Sequence, residues 1–458
     1  MRTTRFLASM VAALAVCGSP LRAQDSYAIS GTIVTEKGII PHGTVVIVKD
    51  TIQSIAPSAV VPEGIPVLEV DGVVFPGLVD LHNHVVWNVL PRWKLPSPVG
   101  NRYDWQAMPE YQARLSKPEG ELIAKGFGCD MERYAEIKAL LGGATSVTGS
   151  FGPTKEQPRR NECVRGLARN LDVYSGLYTD QVNAEPLAYE IFPFEMGWQR
   201  AQTIRDGLQS GQLRAMVAHV AEGKDASAKR EFRMLRGNGF LLSGVTVIHG
   251  VALDAADFLE MAGNGVGFLW SPRSNLELYG KTADIAAAKS SKVTMAISPD
   301  WSPTGSSGVL DELRYAYQWD SRRDPRLLSA ADLLQMATAN PARLAGVNTK
   351  IGTLAPGMKA DLIVLPRRGD SPLQALVDSA PASVQLVIVG GRPLVGDPEP
   401  MSKLLPGKPL ELKTICGRQK AFNVLGDTEG ESLQAIEGRL TVALQSVGSQ
   451  LAGLSDCE

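Results

Sequence analysis

Short apolar runs alternate with helical patterns through the middle of the chain. The runs are rich in β-branched and small residues, whereas the segments between them repeat apolar residues at helical spacing. Such an alternation is typical of a parallel sheet or barrel. An eighth strand, or an irregular segment in its place, is expected within 179–212, at no defined position. The predicted strands are 78–84, 144–149, 173–178, 214–220, 245–249, 266–270 and 293–298.

Helical patterns follow most of these strands. Asn340-Pro341 interrupts the pattern at 331–345, which predicts one helix and then a second that starts at the proline. The other predicted helices are 131–141, 226–235, 254–261, 308–318 and, near the C-terminus, 429–454.

A second pattern flanks this central region. Short β-branched runs separated by Gly, Pro and Asp occur at 27–74 and again at 351–389, which is typical of antiparallel strands. We therefore predict an α/β protein: a (β/α)8 TIM-like barrel over 76–349 and a small composite β-sandwich from 24–75 and 350–400. Residues 401–458 form a partly helical extension.

The N-terminus has the pattern of a secretory signal. Arg2 and Arg5 precede an apolar run too short to span a bilayer, and residues 1–23 end in a small-residue site near Ala23. We expect a periplasmic or secreted protein without stable membrane insertion; lipid attachment at Cys17 is disfavoured by the bulky Val16. A formal net charge of −2 disfavours nucleic-acid binding.

Export would place the remaining cysteines in an oxidising compartment. Four cysteines allow three pairings, and the spacing alone does not choose among them. We expect local pairs, Cys129 with Cys163 and Cys416 with Cys457, because each closes a loop within one region.

The strand 78–84 ends in His82-Asn83-His84. Side chains alternate across a strand, so His82 and His84 leave it on one face with Asn83 turned away. Burying two imidazoles together without a ligand is costly, which favours half of a metal site.

The other half is expected at neighbouring strand ends. His219, His249 and Asp300 each lie at or near the C-terminal end of a predicted strand, and in a barrel these ends share one face. Imidazoles with one carboxylate suit a divalent ion, most simply Zn²⁺, with Fe²⁺ as an alternative. Glu222 is the candidate that moves the proton of an activated water.

Each residue also has an ordinary structural interpretation. A single histidine such as His249 is usually a hydrogen-bonded structural residue, Asp300 could cap a helix, and Glu222 could be a surface carboxylate. The joint placement of four of the five histidines at predicted strand ends favours the metal site.

These motifs resemble the amidohydrolase superfamily, in particular its cytosine deaminase and triazine hydrolase-like branch. The resemblance covers about 26–393 and rests on 76–84, 219–222, 248–250, 271–276, 299–300, 336–342 and 352–362. It implies a distorted (β/α)8 barrel with a β-sandwich and one divalent metal held by His82, His84, His219 and Asp300. It also implies that His249 contacts the metal-bound water or transition state and that Glu222 transfers protons.

The chain departs from this family in three places. Binuclear members carry a bridging lysine or glutamate after the fourth strand, where this chain offers only Lys155 in a proline-containing loop. Asp300 is followed by Trp301-Ser302-Pro303, unlike nucleobase deaminases. The aromatic segment 87–105 matches no substrate class.

The sequence therefore predicts an exported, mononuclear metal-dependent hydrolase that cleaves a non-peptide C–N bond in a small molecule, with cyclic or aromatic molecules as the candidate substrates. Two alternatives remain: a binuclear peptidase-like or lactonase-like hydrolase, and a non-catalytic metal- or small-molecule-binding protein. Candidate substrate contacts are Arg273, Asn275, Trp87 and Trp105, each with an ordinary packing alternative. The expected partner is the small-molecule substrate, and a homo-oligomer stays open.

Overall fold

The computed structural model describes residues 26–57, 59–150, 163, 167–174, 177–178, 186–426 and 430–457. The predicted signal at 1–23 and Lys155 lie outside the described residues. Within them, no helix combines the length and apolar character needed to cross a bilayer.

Seventeen strands are described, numbered here in chain order. They are β1 Ser26–Thr35, β2 Gly38–Val48, β3 Thr51–Ala56, β4 Val67–Pro76, β5 Leu78–Asp80, β6 Ala144–Val147, β7 Arg169–Asn170, β8 Leu187–Glu190, β9 Ala215–Val220, β10 Val245–His249, β11 Gly267–Trp270, β12 Met295–Ile297, β13 Leu362–Pro366, β14 Leu386–Val389, β15 Arg392–Gly396, β16 Glu411–Ile415 and β17 Arg418–Phe422.

The helices connect and cover these strands. Shorter turns of 3-10 or π type occupy Val85–Val89, Gln112–Ser116 and Pro381–Ser383. The described α-helices are α1 Arg102–Gln106, α2 Pro109–Tyr111, α3 Lys117–Ala124, α4 Gly128–Leu141, α5 Trp198–Ser210, α6 Ala226–Gly237, α7 Ala255–Gly263, α8 Pro272–Tyr279, α9 Ile285–Ser291, α10 Val309–Asp320, α11 Ala330–Ala337, α12 Ala339–Leu344, α13 Gln374–Asp378, α14 Pro398–Leu404 and α15 Leu433–Ser446.

The central strands form two parallel sheets, as the strand–helix alternation predicts. One has the order β5-β6-β7 and the other β12-β11-β10-β9-β8. In the described residues no strand ladder closes them into one barrel, but an isolated parallel bridge joins Asn83 to Asp300, just beyond β5 and β12. The fold is thus TIM-barrel-like.

Buried side chains from both parallel sheets meet in one apolar cluster. Val79 on β5 shares this cluster with Val217, Ile248 and Leu269 on three strands of the other sheet. Such a shared interior is what parallel strands with helices outside produce, because every second side chain points inward. The C-terminal ends of the strands lie beyond this packed layer.

One predicted strand is wrong. Val173 and Tyr174, which begin the predicted strand 173–178, lie in a turn over 171–174, and the short strand β7 lies just before it. The side chain of Asn170 accepts a hydrogen bond from Val173 N (3.2 Å), and Tyr174 has a φ of 45°. Asn side chains favour such turns over strands, which explains the error. The unplaced eighth strand corresponds to β8.

Strands from both ends of the chain form one nine-stranded sheet. Its order is β16-β17-β15-β14-β13-β4-β1-β2-β3, with β4 and β13 antiparallel. The predicted composite of 24–75 and 350–400 is therefore hydrogen-bonded into a single sheet. Two further strands, β16 and β17, come from the 401–458 extension, where no strand was predicted.

The C-terminal extension also reaches the barrel. Ala452 N donates to Val89 O (2.8 Å), and Arg92 forms an ion pair with Asp456 (3.5 Å). The disulfide Cys416–Cys457 closes this extension, and Cys129–Cys163 is the second bond, which confirms the expected local pairing. The tail therefore packs against the segment that follows His84.

A buried ion pair joins the barrel to the large sheet. Arg169 on β7 makes two hydrogen bonds to the carboxylate of Asp361 (2.7 and 3.0 Å), and Gly390 N donates to the same carboxylate (2.6 Å). Both charged side chains are more than nine-tenths buried. Removing one member of such a pair leaves the other charge buried.

We expect Asp361→Asn to lower the free energy of unfolding by about 3 to 5 kcal/mol, because the guanidinium of Arg169 loses its facing carboxylate. Denaturant unfolding followed by circular dichroism measures this. Asp370→Asn, at an exposed position, is the control. Equal unfolding free energies for the two variants would contradict the assigned role of the pair.

Candidate metal centre

Four of the predicted site residues converge beyond the strand ends. Asp300 Oδ1 lies 3.2 Å from His82 Nε2 and 3.3 Å from His84 Nε2, and His82 Nε2 lies 3.2 Å from His219 Nε2. His82, His219 and Asp300 are buried, while His84 is partly exposed. The cluster is therefore reached from the side of His84.

The backbone brings the two halves of this cluster together. Asp300 N donates to His82 O (3.2 Å) and His84 N donates to Asp300 O (3.1 Å), a short parallel bridge between the two segments. Asp300 has a φ of 70° and His249 a φ of 67°. Left-handed backbone at non-glycine residues costs about 1 kcal/mol or more and is commonly held at functional sites.

Three of the donor separations fit a bound divalent ion. The possible ligands form two groups that share His82: His82 with His84 and Asp300, and His82 with His219 and His249. Ligand atoms around a tetrahedral zinc with bonds of 2.0–2.1 Å are about 3.3–3.4 Å apart, close to the three separations above. Without an ion, two imidazole Nε2 atoms at 3.2 Å would have to share one proton in a buried site. Three imidazoles and a carboxylate form an appropriate donor set for such an ion.

The protonation states also suit metal binding. Burial lowers the pKa of His82 to about 4 and that of His219 well below its ordinary value. Burial opposes the charge on Asp300, but interactions with His82 and a hydrogen bond from His84 hold its pKa well below the usual range. At neutral pH the imidazole lone pairs and the carboxylate are therefore free to bind a cation.

Helix α8 supports the site from one side. Ser271, its N-cap, places Oγ 2.8 Å from His82 Nδ1, and Ser274 Oγ donates to Asp300 Oδ2 (2.5 Å). Asn275 Oδ1 lies 2.9 Å from His249 Nδ1. Tyr279 Oη donates to Glu222 Oε1 (2.6 Å). Each bond constrains a different site residue.

Glu222 lies next to this cluster and is buried. Its Oε2 is 3.7 Å from His249 Nε2 and 3.8 Å from the guanidinium of Arg102. Arg102 also pairs with Glu231 (3.3 Å), and burial raises the pKa of Glu231 to about 7 although Arg102 opposes the shift. One buried cation thus faces two carboxylates.

An aromatic cluster lies beside His84. The ring of Trp301 is 5.8 Å from that of His84, and Trp87 and Trp105 lie 5.4 and 5.8 Å from Trp301. Trp87 also stacks on Tyr111 at 6.2 Å. The predicted substrate contacts Trp87 and Trp105 therefore lie in the second layer around the histidines, with Trp301 between.

Arg273 and Asn275, the two predicted substrate contacts on α8, have different surroundings. Asn275 donates to Thr282 and to His249 O and holds His249 Nδ1, so its amide positions a site residue. Arg273 places its guanidinium 5.8 Å from the ring of Tyr315 on α10. Its contact with a substrate stays a prediction.

Several supporting residues were not predicted as site residues. Ser271 and Ser274 lie in a motif that carried the resemblance, but no role was assigned to them. No sequence pattern indicated a role for Tyr279 or Arg102, because only the folded structure brings each of them into contact with Glu222. A spacing of three and four places Ser271, Ser274 and Asn275 near one another on the helix, and this was the available clue for the two serines.

Comparison with known proteins finds similar sequences. The model of the amidohydrolase family matches residues 212–394. A 5-methylthioadenosine/S-adenosylhomocysteine deaminase of Desulfitobacterium hafniense is 26% identical over 414 residues, which cover 82% of this chain and 92% of the relative. The chain is thus similar to this family over residues 212–394 and to the deaminase over most of its length. The predicted resemblance is thereby confirmed.

Solved structures of such enzymes share the fold. A triazine hydrolase of Arthrobacter aurescens superposes with a TM-score of 0.66 at 18% identity, covering 81% of this chain and 95% of that one. An adenosine deaminase of Xanthomonas campestris with bound zinc gives 0.61 at 18% identity, covering 80% and 92%. This agreement supports the TIM-barrel-like α/β fold.

We expect Ser271→Ala to weaken metal binding by about 10- to 100-fold, because the Ser271 hydroxyl holds Nδ1–H of His82 and so keeps its Nε2 lone pair on the cluster. Competition with a chromogenic chelator measures the affinity. Ser402→Ala removes an exposed hydroxyl from α14 and should bind metal as the parent does. Equal affinity in both variants would refute the role of Ser271.

Proposed function

We propose that this protein is an exported hydrolase with one divalent metal, which cleaves a non-peptide C–N bond in a small cyclic or aromatic molecule. The observation that carries the proposal is a buried carboxylate, Glu222, beside His249 at the edge of a cluster of three histidines and Asp300. A purely metal-binding protein has no need of that additional buried carboxylate.

We assign the metal to His82, His84, His219 and Asp300, with zinc as the preferred ion. A divalent ion there would supply Lewis acidity for activating a water. The bound zinc of the adenosine deaminase structure supports zinc, and imidazole with carboxylate is a suitable ligand set. The ion's identity and number belong to this proposal.

Glu222 is assigned the proton transfers. Its carboxylate can take a proton from the attacking water and deliver it to the leaving nitrogen, which is ordinary general acid–base chemistry. His249 lies 3.7 Å from Glu222 and is held by Asn275, so its Nε2 can stabilise charge that develops on the substrate. The guanidinium of Arg102 supplies a compensating positive charge beside the Glu222 carboxylate.

The relatives narrow the proposed substrate class. Those with the broadest coverage are named deaminases of 5-methylthioadenosine and S-adenosylhomocysteine, in which the amino group is on an aromatic heterocycle. The aromatic rings beside His84 could pack against a flat substrate. We therefore propose hydrolytic deamination of an aminated heterocycle as the favoured reaction.

Export remains part of the proposal. Two disulfides are described, and such bonds persist chiefly in oxidising compartments. They support a periplasmic or secreted location, which the signal-like segment 1–23 predicts.

We expect Glu222→Gln to lower kcat by about 100- to 10,000-fold, since the amide cannot accept the water's proton. Ammonia release from amides, ureas and aminated heterocycles measures turnover, and metal content should stay at the parent level. Glu260→Gln, at an ion pair on the surface of α7, should retain full activity. Parent-level turnover by the Glu222→Gln variant would refute the proton-transfer role.

Metal analysis tests how many metal ions each chain binds. We expect one equivalent of divalent metal per chain in protein purified with zinc, and its removal should abolish turnover until zinc is restored. Two equivalents would overturn the mononuclear proposal in favour of the binuclear peptidase-like or lactonase-like alternative. Metal-loaded protein inactive on the whole panel would favour the non-catalytic alternative.

A further inference from the structure

A buried hydrogen-bond chain links the aromatic segment to Glu222. Trp105 Nε1 donates to Tyr279 Oη (2.9 Å), and Tyr279 Oη donates to Glu222 Oε1 (2.6 Å). Tyr279 is fully buried, Trp105 is 6% exposed and Glu222 is 4% exposed. The hydroxyl thus uses its donor on the carboxylate while it accepts from the indole.

The direction of this hydrogen-bond chain follows from which of its groups can donate. An indole N–H can only donate, so Tyr279 must accept from Trp105 and direct its own proton to Glu222. Burial and the neighbouring charge of Glu222 raise the pKa of Tyr279 well above its usual value. The phenol therefore stays protonated and remains a donor.

The backbone ties the same segments together. Arg102 N donates to Glu222 O (3.2 Å), and Lys224 N donates to Gly100 O (2.7 Å). A bridge joins Asn101 to Gly223, whose φ is 138°; a Cβ there would lie 2.5 Å from Asn101 Cα. Residues 100–105 are therefore fastened to the loop that carries Glu222.

Tyr279 is held from its other side as well. It is the last residue of α8, and Lys224 Nζ donates to its carbonyl (2.8 Å). The helix that supports His82 and His249 thus ends on the residue that contacts Glu222. A carboxylate with one oxygen fixed in this way has its other oxygen, Oε2, facing His249.

We propose that Tyr279 is a positioning residue, which orients Glu222 for proton transfer and makes that orientation depend on the seating of Trp105. The inference rests on the proposed function, because it gives Tyr279 a role only through Glu222. In this arrangement the aromatic segment does more than line the entrance: it helps to set the geometry of the acid–base group.

The kinetic test uses Tyr279→Phe and Trp105→Phe. Loss of a hydrogen bond to a charged group should lower kcat by about 10- to 100-fold in Tyr279→Phe, with KM within about twofold. Trp105→Phe should lower kcat less. When Tyr279 is already Phe, adding Trp105→Phe should lower kcat no more than Trp93→Phe does, because the indole N–H then has no hydroxyl to act through.

The control variants change residues that match Trp105 and Tyr279 in size and burial. Trp93→Phe removes the same group from a ring that packs on Trp105, and Tyr174→Phe removes another buried hydroxyl, one that donates to Ala345 O. Both should leave kcat near the parent value. An unchanged kcat in Tyr279→Phe, or full additivity of the two losses, would overturn the proposal.

A second measurement does not need a substrate. Indole ¹⁵N–H resonances of the seven tryptophans can be recorded on the whole protein, and Trp105→Phe identifies the relevant one. That resonance should shift in Tyr279→Phe and in Glu222→Gln, but not in Tyr174→Phe. An unchanged resonance in these two variants would overturn the proposed hydrogen-bond chain. A shifted resonance combined with full activity of the Glu222→Gln variant would overturn the proposed function alone.

Discussion

The site depends on one short helix, α8, which contacts four of its residues. Helix α8 and its N-cap hold His82, Asp300, His249 and Glu222 through four separate hydrogen bonds. These groups are buried, so each unsatisfied partner would cost desolvation free energy. In the observed orientation the helix makes all four bonds, and it therefore sets the directions of both imidazole rings and both carboxylates together.

The sequence predicts the elements that repeat locally and the residues at their ends. The predicted strand 78–84 is shorter in the structure, where β5 ends at Asp80, but His82 and His84 lie just beyond it and still point to one site. The C-terminal ends of parallel strands share one edge, which brings His219 and Asp300 to them. These inferences need only periodicity. Their accuracy reflects the regularity of the fold.

The residues that escape prediction are those whose roles depend on long-range packing. Tyr279 reaches Glu222 across 57 positions of sequence, and nothing in the local pattern distinguishes it from a core tyrosine. Arg273 looked equivalent to Asn275, yet two residues along a helix lie on opposite faces, and Arg273 packs toward α10. The error at 173–178 has another cause, since the turn held by the Asn170 side chain outweighs the apolar and aromatic residues that suggested a strand.

The joint between barrel and sheet has a consequence for the order of assembly. Gly77 N donates to Asp361 O (2.9 Å), and Pro76 lies opposite Leu362, so the barrel leaves and re-enters the sheet at adjacent points. Long loops cost little extra entropy at equilibrium, but distant pairings form slowly. Strands β1 to β4 are close in sequence and can pair among themselves early, whereas the pairing of β13 with β4 joins segments on either side of the whole barrel, so we expect it to form later. Until then, β4 presents an unpaired apolar edge, the kind of surface on which nascent chains aggregate.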